Sequence, residues 1–453
     1  MKSIETQETR KEMKNTVSFK QAAARLIWGI SAFVAGLSSF ADTSISQFGI
    51  TWTFDKDYPT GQYANGDYWV VGPVEIVGIS PASVVKSGRT VNGSQLNPAL
   101  GDVQGYDSAP GDMTYDAERN AGRPGGKELS PENPLKISTG SLISTISIEN
   151  LQPRPQVKAA AILTVVESAP AAGAFRPPPV GTDKTSYWNK TNLNYSILKS
   201  LSPVSGTPPL AKVEQNFEKP WLEQNPNWTA RYIHPDDNQP TYGREIAITL
   251  AEGLLSLHLN YSNEQKETLF IRLVQYGIDV YGTAKEGGKW EDLGGHNPGR
   301  KMPMILAGLA LNDQKILAFG NAADHLIFQE DRQTWYVTGN DVGRPLYTAD
   351  KRPREQYISA DVGIAEWGEQ HTRQPVRDGR NWGAPYRGIC VAAMTGHALA
   401  AHLTPGAVEI WNWPAFFDYI DRAFAISGKG AGGGSNTISP YVAAMWQEYR
   451  TEK

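Results

Sequence analysis

The sequence predicts an α+β protein of more than one domain: an N-terminal β-sandwich-like domain followed by an all-α, (α/α)-toroid-like domain. Three observations carry this. Hydrophobic residues alternate in short β-branched runs up to about residue 170, then recur at helical spacing from about residue 186. A proline- and glycine-rich stretch that includes Arg176-Pro177-Pro178-Pro179 lies between the two patterns. Finally, 453 residues suffice for roughly two or three domains. The division is residues 1–41 as a signal peptide, 42–170 as the β domain, 171–185 as a linker and 186–453 as the helical domain.

The first segment is basic, with Lys2, Arg10, Lys11, Lys14, Lys20 and Arg25 ahead of the apolar run from Leu26 to Leu37 and small residues up to Ala41. That order is the pattern of a secretory signal cleaved after Ala41, which predicts a secreted or periplasmic protein. The competing reading, a membrane anchor, needs a longer apolar core. In the β domain, Tyr68–Val71 with Val74–Ile79, Leu142–Ile148 and Ala159–Val166 read as strands, and residues 86–136 form a polar insert rich in Gly, Pro, Asp and Asn. Beyond residue 186, Tyr242 to Tyr261 places Ile246, Leu250, Leu254 and Leu257 on one stripe. Ser262-Asn263-Glu264-Gln265 then caps a helix running to Tyr281, which predicts an antiparallel helical hairpin. Further helices are expected at 302–311, 314–328, 386–402, 413–425 and 440–449. Helical pairs with long loops on one side are the pattern of a toroid whose loops gather at a cleft. No repeat of fixed period indicates a regular solenoid.

Composition narrows the function. Without residues 1–41 the chain keeps 37 basic and 44 acidic residues, a formal charge of −7, and no long basic run to contact phosphates. Nucleic acid is therefore not an expected partner. Thirteen tryptophans and nineteen tyrosines supply flat faces that suit sugar rings as well as a core. The single cysteine, Cys390, excludes an internal disulfide.

Two loops break the helical pattern: Gly294-Gly295-His296-Asn297-Pro298-Gly299-Arg300-Lys301, and Glu366-Trp367-Gly368-Glu369-Gln370-His371-Thr372-Arg373. Each sets histidine beside arginine without apolar periodicity, which is poor packing material and good site material. His296 has an alternative role in organising a turn, and His371 one in a solvated charge cluster. His258, His397 and His402 lie in apolar stripes and read as core or helix-end histidines, and His325 is similar.

The strings Trp52-Thr53-Phe54-Asp55, Asn65-Gly66-Asp67-Tyr68-Trp69-Val70, the His296 loop and Trp411-Asn412-Trp413-Pro414 resemble a group of secreted bacterial proteins of unassigned activity. The architecture and residue types resemble the α/α-toroid polysaccharide lyases, although those usually place the β domain after the helices. The resemblance implies β-elimination at a uronate. That chemistry needs a base for the proton α to the carboxylate, an acid for the leaving oxygen and donors for the carboxylate as it becomes an enolate. His296 or His371 is then the base and Tyr336 or Tyr242 the acid. Asn297, Arg300, Lys301, Arg373, Arg244 and Trp367 would bind substrate, and no cofactor or metal is called for.

Two alternatives stay open. A glycoside hydrolase would pair carboxylates from among Glu330, Asp331, Asp361, Glu366 and Asp292, and no spacing singles out two of them. A non-catalytic glycan-binding or envelope protein would use Trp52, Tyr63, Tyr68 and Trp69. Serine-hydrolase elbows and the His-Glu-x-x-His motif do not occur, and the glycine run Gly430–Gly434 reads as a flexible connector because Ser-Asn-Thr follows it instead of the Lys-Ser/Thr of a phosphate loop. The expected partner is a polysaccharide, acidic under the lyase reading.

Overall fold

The computed structural model describes residues 40–109, 111–150, 154–239, 241–292, 294–347, 352–368, 387–427 and 438–451. The described residues belong to one compact unit, in which a mixed β-sheet region is followed by a largely helical region. Among the described residues no helix is long and apolar enough to cross a membrane.

Eight strands form the main sheet: β1 (Phe40–Gln47), β2 (Ile50–Gln62), β3 (Tyr68–Val71), β4 (Val74–Ser80), β5 (Ser94–Leu96), β6 (Leu135–Ile137), β7 (Gly140–Ser147) and β8 (Val157–Val166). Their order is β6-β4-β2-β3-β8-β7-β5, with β1 added on β2. The β1–β2 hairpin closes on Phe48 and Gly49, both at positive φ, as a two-residue turn that matches strand twist requires. In β2, Ile50, Trp52, Phe54, Tyr58 and Thr60 alternate into the core. Its first half pairs with β4 and its last three residues with β3.

Strand β8 is apolar almost throughout because both of its faces are covered. Ala161, Leu163 and Val165 pack with Trp52, Val70 and Leu142 on one face. Val157, Ala160 and Ile162 pack on the other face with Leu222 and Ile233 from beyond the proline-rich segment. That segment is itself buried at Ala174, Phe175 and Arg176.

The helices are α1 (Leu210–Gln215), α2 (Arg244–Leu257), α3 (Asn263–Lys285), α4 (Lys301–Leu311), α5 (Gln314–Gly320), α6 (Gln329–Gln333), α7 (Arg387–Leu403), α8 (Ala407–Trp411), α9 (Pro414–Ser427) and α10 (Pro440–Tyr449). Ser262 and Gln265 form the expected capping box at the start of α3. The helix expected over 314–328 stops at Gly320, because Asn321 turns the chain and binds Asp324 through its side chain. Although α2 and α3 are consecutive, α2 packs most extensively on α7 and α3 on α4. Glycines allow both approaches: a Cβ on Gly396 would lie 2.5 Å from Ala251 Cβ, and one on Gly277 would lie 2.2 Å from the Pro303 carbonyl. Between α6 and α7, β9 (Thr334–Tyr336) pairs antiparallel with β10 (Ala365–Trp367).

Candidate functional site

The His296 loop enters α4 with its backbone polar groups satisfied by side chains of other helices, as buried backbone requires. The Gly294 carbonyl accepts from Cys390 Sγ of α7 at 3.1 Å, and Asn297 N donates to Gln329 Oε1 of α6 at 2.9 Å. Gly299 N donates to Glu330 Oε1 at 2.6 Å. Gly299 has φ +93, and a Cβ there would lie 2.9 Å from His397 Nε2, so only glycine lets the loop lie this close to α7. On the other side, Gly243 at φ +113 turns the chain from Tyr242 into α2 directly against the Gly295 carbonyl.

These contacts bring His296 and Tyr242 together. Their rings stack with centroids 6.1 Å apart and 20° between planes, and Trp228 lies 6.3 Å from the imidazole on a tilted plane. His296 is half-buried and its Nδ1 has no hydrogen-bond partner. Burial, then the charges of Arg231, Arg154 and Arg300, pull its pKa down to about 4, so the ring is neutral near pH 7. Tyr242 is buried, and its hydroxyl donates to the Asn227 carbonyl at 2.9 Å and lies 3.5 Å from Asn297 Oδ1. Burial raises its pKa, and the Arg300 charge opposes the rise only in part.

Beneath this pair lies a buried polar cluster. Arg300 Nε is 3.4 Å from Glu223 Oε1, and Glu223 also accepts from Tyr276 Oη at 2.8 Å and Trp290 Nε1 at 3.3 Å. The Arg300 guanidinium sits 5.5 Å from the Tyr242 ring centre, and its Nη2 has no partner. Arg231 lies over the face of Trp228 at 3.3 Å and pairs with Asp112 at 2.9 Å. His234 Nδ1 lies 3.0 Å from the Arg231 carbonyl, and its ring is 6.1 Å from Tyr242.

Of the residues singled out in the sequence, Tyr242, His296, Asn297 and Arg300 converge here. Asn297 is fully buried and anchors the loop through Nδ2 to the Glu291 carbonyl. Four others lie elsewhere or face away. Arg244, in the first turn of α2, pairs with Glu245 at 3.1 Å. Lys301 has no exposed surface and is bound to Asp331 at 2.6 Å and to the Trp411 carbonyl. Trp367 is equally enclosed and donates to Gln333 Oε1. Tyr336 lies on β9 with its hydroxyl on Asp418 of α9. His371 and Arg373 lie outside the described residues.

Trp228, Arg231, Glu223 and His234 had not been singled out. They come from residues 221–234, which hold two tryptophans, a tyrosine, an arginine and a histidine with neither helical nor strand periodicity. That is the same signal that marked the His296 loop. Chemically, the cluster offers a neutral imidazole with an unpartnered ring nitrogen, an aromatic platform and several guanidiniums. Among the described residues no three His, Cys, Asp or Glu side chains converge as metal ligands would. No family model, curated protein or solved structure matches this chain.

Proposed function

We propose that the chain is a secreted polysaccharide-degrading enzyme that cleaves a uronate-containing polymer by β-elimination. In this reading the helical region is (α/α)-toroid-like and the sheet region is its β-sandwich-like companion. The observation that carries the proposal is His296: a half-buried, neutral imidazole with an unpartnered nitrogen, surrounded by arginines. A carboxylate sugar is drawn to that positive field even though the chain as a whole is acidic.

The steps follow from the residues present. A uronate seated against Arg231 and Arg154 brings negative charge to the arginines that depress the imidazole, which restores basicity to His296. His296 then takes the C5 proton as the electron pair moves into the carboxylate, and the guanidiniums stabilise the resulting enolate. Collapse forms the C4–C5 double bond and breaks the C4–O4 bond. The imidazolium then returns the proton to the departing oxygen, whose developing charge makes it the stronger base. Tyr242 holds the imidazole plane by stacking, and to serve as the acid its hydroxyl would have to leave the Asn227 carbonyl. His371 and Arg373 remain in the proposal as second histidine and clamp arginine on sequence grounds.

The glycosidase alternative fares less well. Glu330, Asp331, Asp361 and Glu366 are all buried. Asp331 is bound by Lys301 and Trp411, and Glu366 lies against Arg422. A hydrolase needs two carboxyl groups flanking a bond in an open cleft.

The test is incubation with a panel of uronate and neutral polysaccharides, followed by ultraviolet absorbance and a reducing-end assay on the same samples. New absorbance together with new ends supports elimination. New ends without absorbance mean hydrolysis, and neither signal favours a binding or envelope role.

A further inference from the structure

We propose that Tyr187 and Trp188 form a second glycan-binding site, selective for neutral sugars, on a ridge built by the proline-rich segment. Tyr187 is 60% exposed, the most open aromatic side chain among the described residues. It stands between two hollows of about 520 and 410 Å³, and both are lined by Asp183, Thr185, Tyr187 and Trp188.

The ring is held in place before any ligand arrives. Its hydroxyl donates to Asp183 Oδ2 at 2.9 Å, and its edge meets Trp188 at 5.7 Å between centroids. Trp188 in turn donates Nε1 to Asp313 Oδ2 at 2.7 Å and packs edge-on against Tyr281 of α3. Behind the ridge, Lys184 Nζ binds the carbonyls of Pro178, Pro179 and Gly181 at 2.8–3.0 Å. Backbone bonds from Phe175 to Trp188 and from Lys190 to Gly173 fasten both ends. An exposed aromatic with so little freedom to lose is a preorganised contact.

The surroundings select the ligand. A contact for another protein would extend into an apolar patch. Here the other exposed large apolar side chains, Val85, Leu326, Ile358, Val362 and Ile426, line neither hollow. The ring is bordered by hydrogen-bonding groups, among them Asp183, Asp313, Lys285 and Asn189, interleaved with small apolar ones such as Pro170 and Val180. A flat ring bordered by donors and acceptors fits a pyranose, whose C–H face stacks while its hydroxyls bond at the rim. With Glu167 and Lys184 included, four carboxylates against three lysines line the two hollows and leave no net positive charge to hold a uronate. The site therefore favours uncharged sugar units, and the two hollows allow a chain to cross the ridge. It does not depend on the activity proposed for His296.

The experiment is calorimetric titration of the full chain with cellohexaose, xylohexaose, mannohexaose and polygalacturonate, repeated with Tyr187→Ala and Tyr187→Phe. At least one neutral hexaose should bind. Tyr187→Ala should weaken it about tenfold or more through loss of the stacked face, and Tyr187→Phe should keep most of the affinity. Both variants should melt at the wild-type temperature, because the Tyr187 ring is largely exposed. No binding by any neutral hexaose, equal binding by Tyr187→Ala, or stronger Tyr187-dependent binding of polygalacturonate would each overturn the proposal. Because binding is read directly, these outcomes remain distinct from a failure of elimination at His296.

Discussion

At the residue scale, the depressed pKa of His296 fixes an expectation for rate against pH. The free-enzyme imidazole becomes protonated only near pH 4. The kcat/KM for a uronate polymer should therefore stay level between roughly pH 5 and 7 and fall below that. A midpoint at the ordinary histidine value near 6.5 would remove His296 as the titrating base. Stability at the same cluster depends on Glu223, which faces the fully buried Arg300. Glu223→Gln leaves that guanidinium without its counter-charge and should cost about 3–5 kcal/mol in a urea melt. A loss below about 1 kcal/mol would mean the pair adds nothing. The His296 loop was legible in sequence because glycine, histidine and arginine without apolar period are poor core material. Lys301 and Trp367 carried the same signal yet ended in the core, since residue type does not reveal that Asp331 and Gln333 wait there as partners.

At the element scale, the helix contacts run against helix propensity. Alanine normally improves a helix over glycine by roughly 1 kcal/mol. At Gly277 and Gly396 the added methyl would meet a backbone carbonyl and a facing Cβ at 2.2 and 2.5 Å. Gly277→Ala and Gly396→Ala should instead destabilise by about 1–3 kcal/mol in chemical denaturation. A gain at either position would show that α3–α4 or α2–α7 can open without cost. Helical period predicted α2, α3, α4, α7, α9 and α10, because apolar residues recur at helical spacing in each. It could not tell that α2 turns most of its surface to α7, since pairing between distant segments leaves no mark in local spacing. Strands β3, β4, β7 and β8 were readable from β-branched runs. The pair β1–β2 was not, because Asp55-Lys56-Asp57 interrupts the apolar alternation and β1 begins inside the segment read as a signal.

At the scale of the whole molecule, the sheet and helices share a buried ionic joint. Arg176, 1% exposed, bonds Asp67 beside β3 at 2.6 Å and Asp279 of α3 at 2.5 Å. Burial lifts the Asp279 pKa to about 6 even though Arg176 opposes the rise. Arg176→Met strands two buried carboxylates and should lower unfolding free energy by about 3–5 kcal/mol, read from the denaturation midpoint. Residues 40–170 alone should fail to fold, because one face of β8 rests on Leu222 and Ile233.

Acid stability offers another whole-molecule test through His258. Its ring accepts from Lys199 N and lies 3.1 Å from Thr404 Oγ1, and burial lowers its pKa to about 3. The unfolded chain binds a proton there below about pH 6.5 and the folded chain does not. Stability is therefore lost as pH falls from 6.5 toward 3, by about 1.4 kcal/mol per unit. The stability advantage of wild type over His258→Gln should shrink on acidification, and an advantage independent of pH would contradict the assignment.

The most direct test of the central claim is the ultraviolet absorbance generated on a uronate polymer by the wild-type chain and by His296→Gln at equal folded concentration. Steady absorbance growth is expected for wild type and none for the variant, with unchanged melting temperature. Absorbance growth at the wild-type rate in the variant, or none from the wild type on any uronate polymer, would contradict the claim.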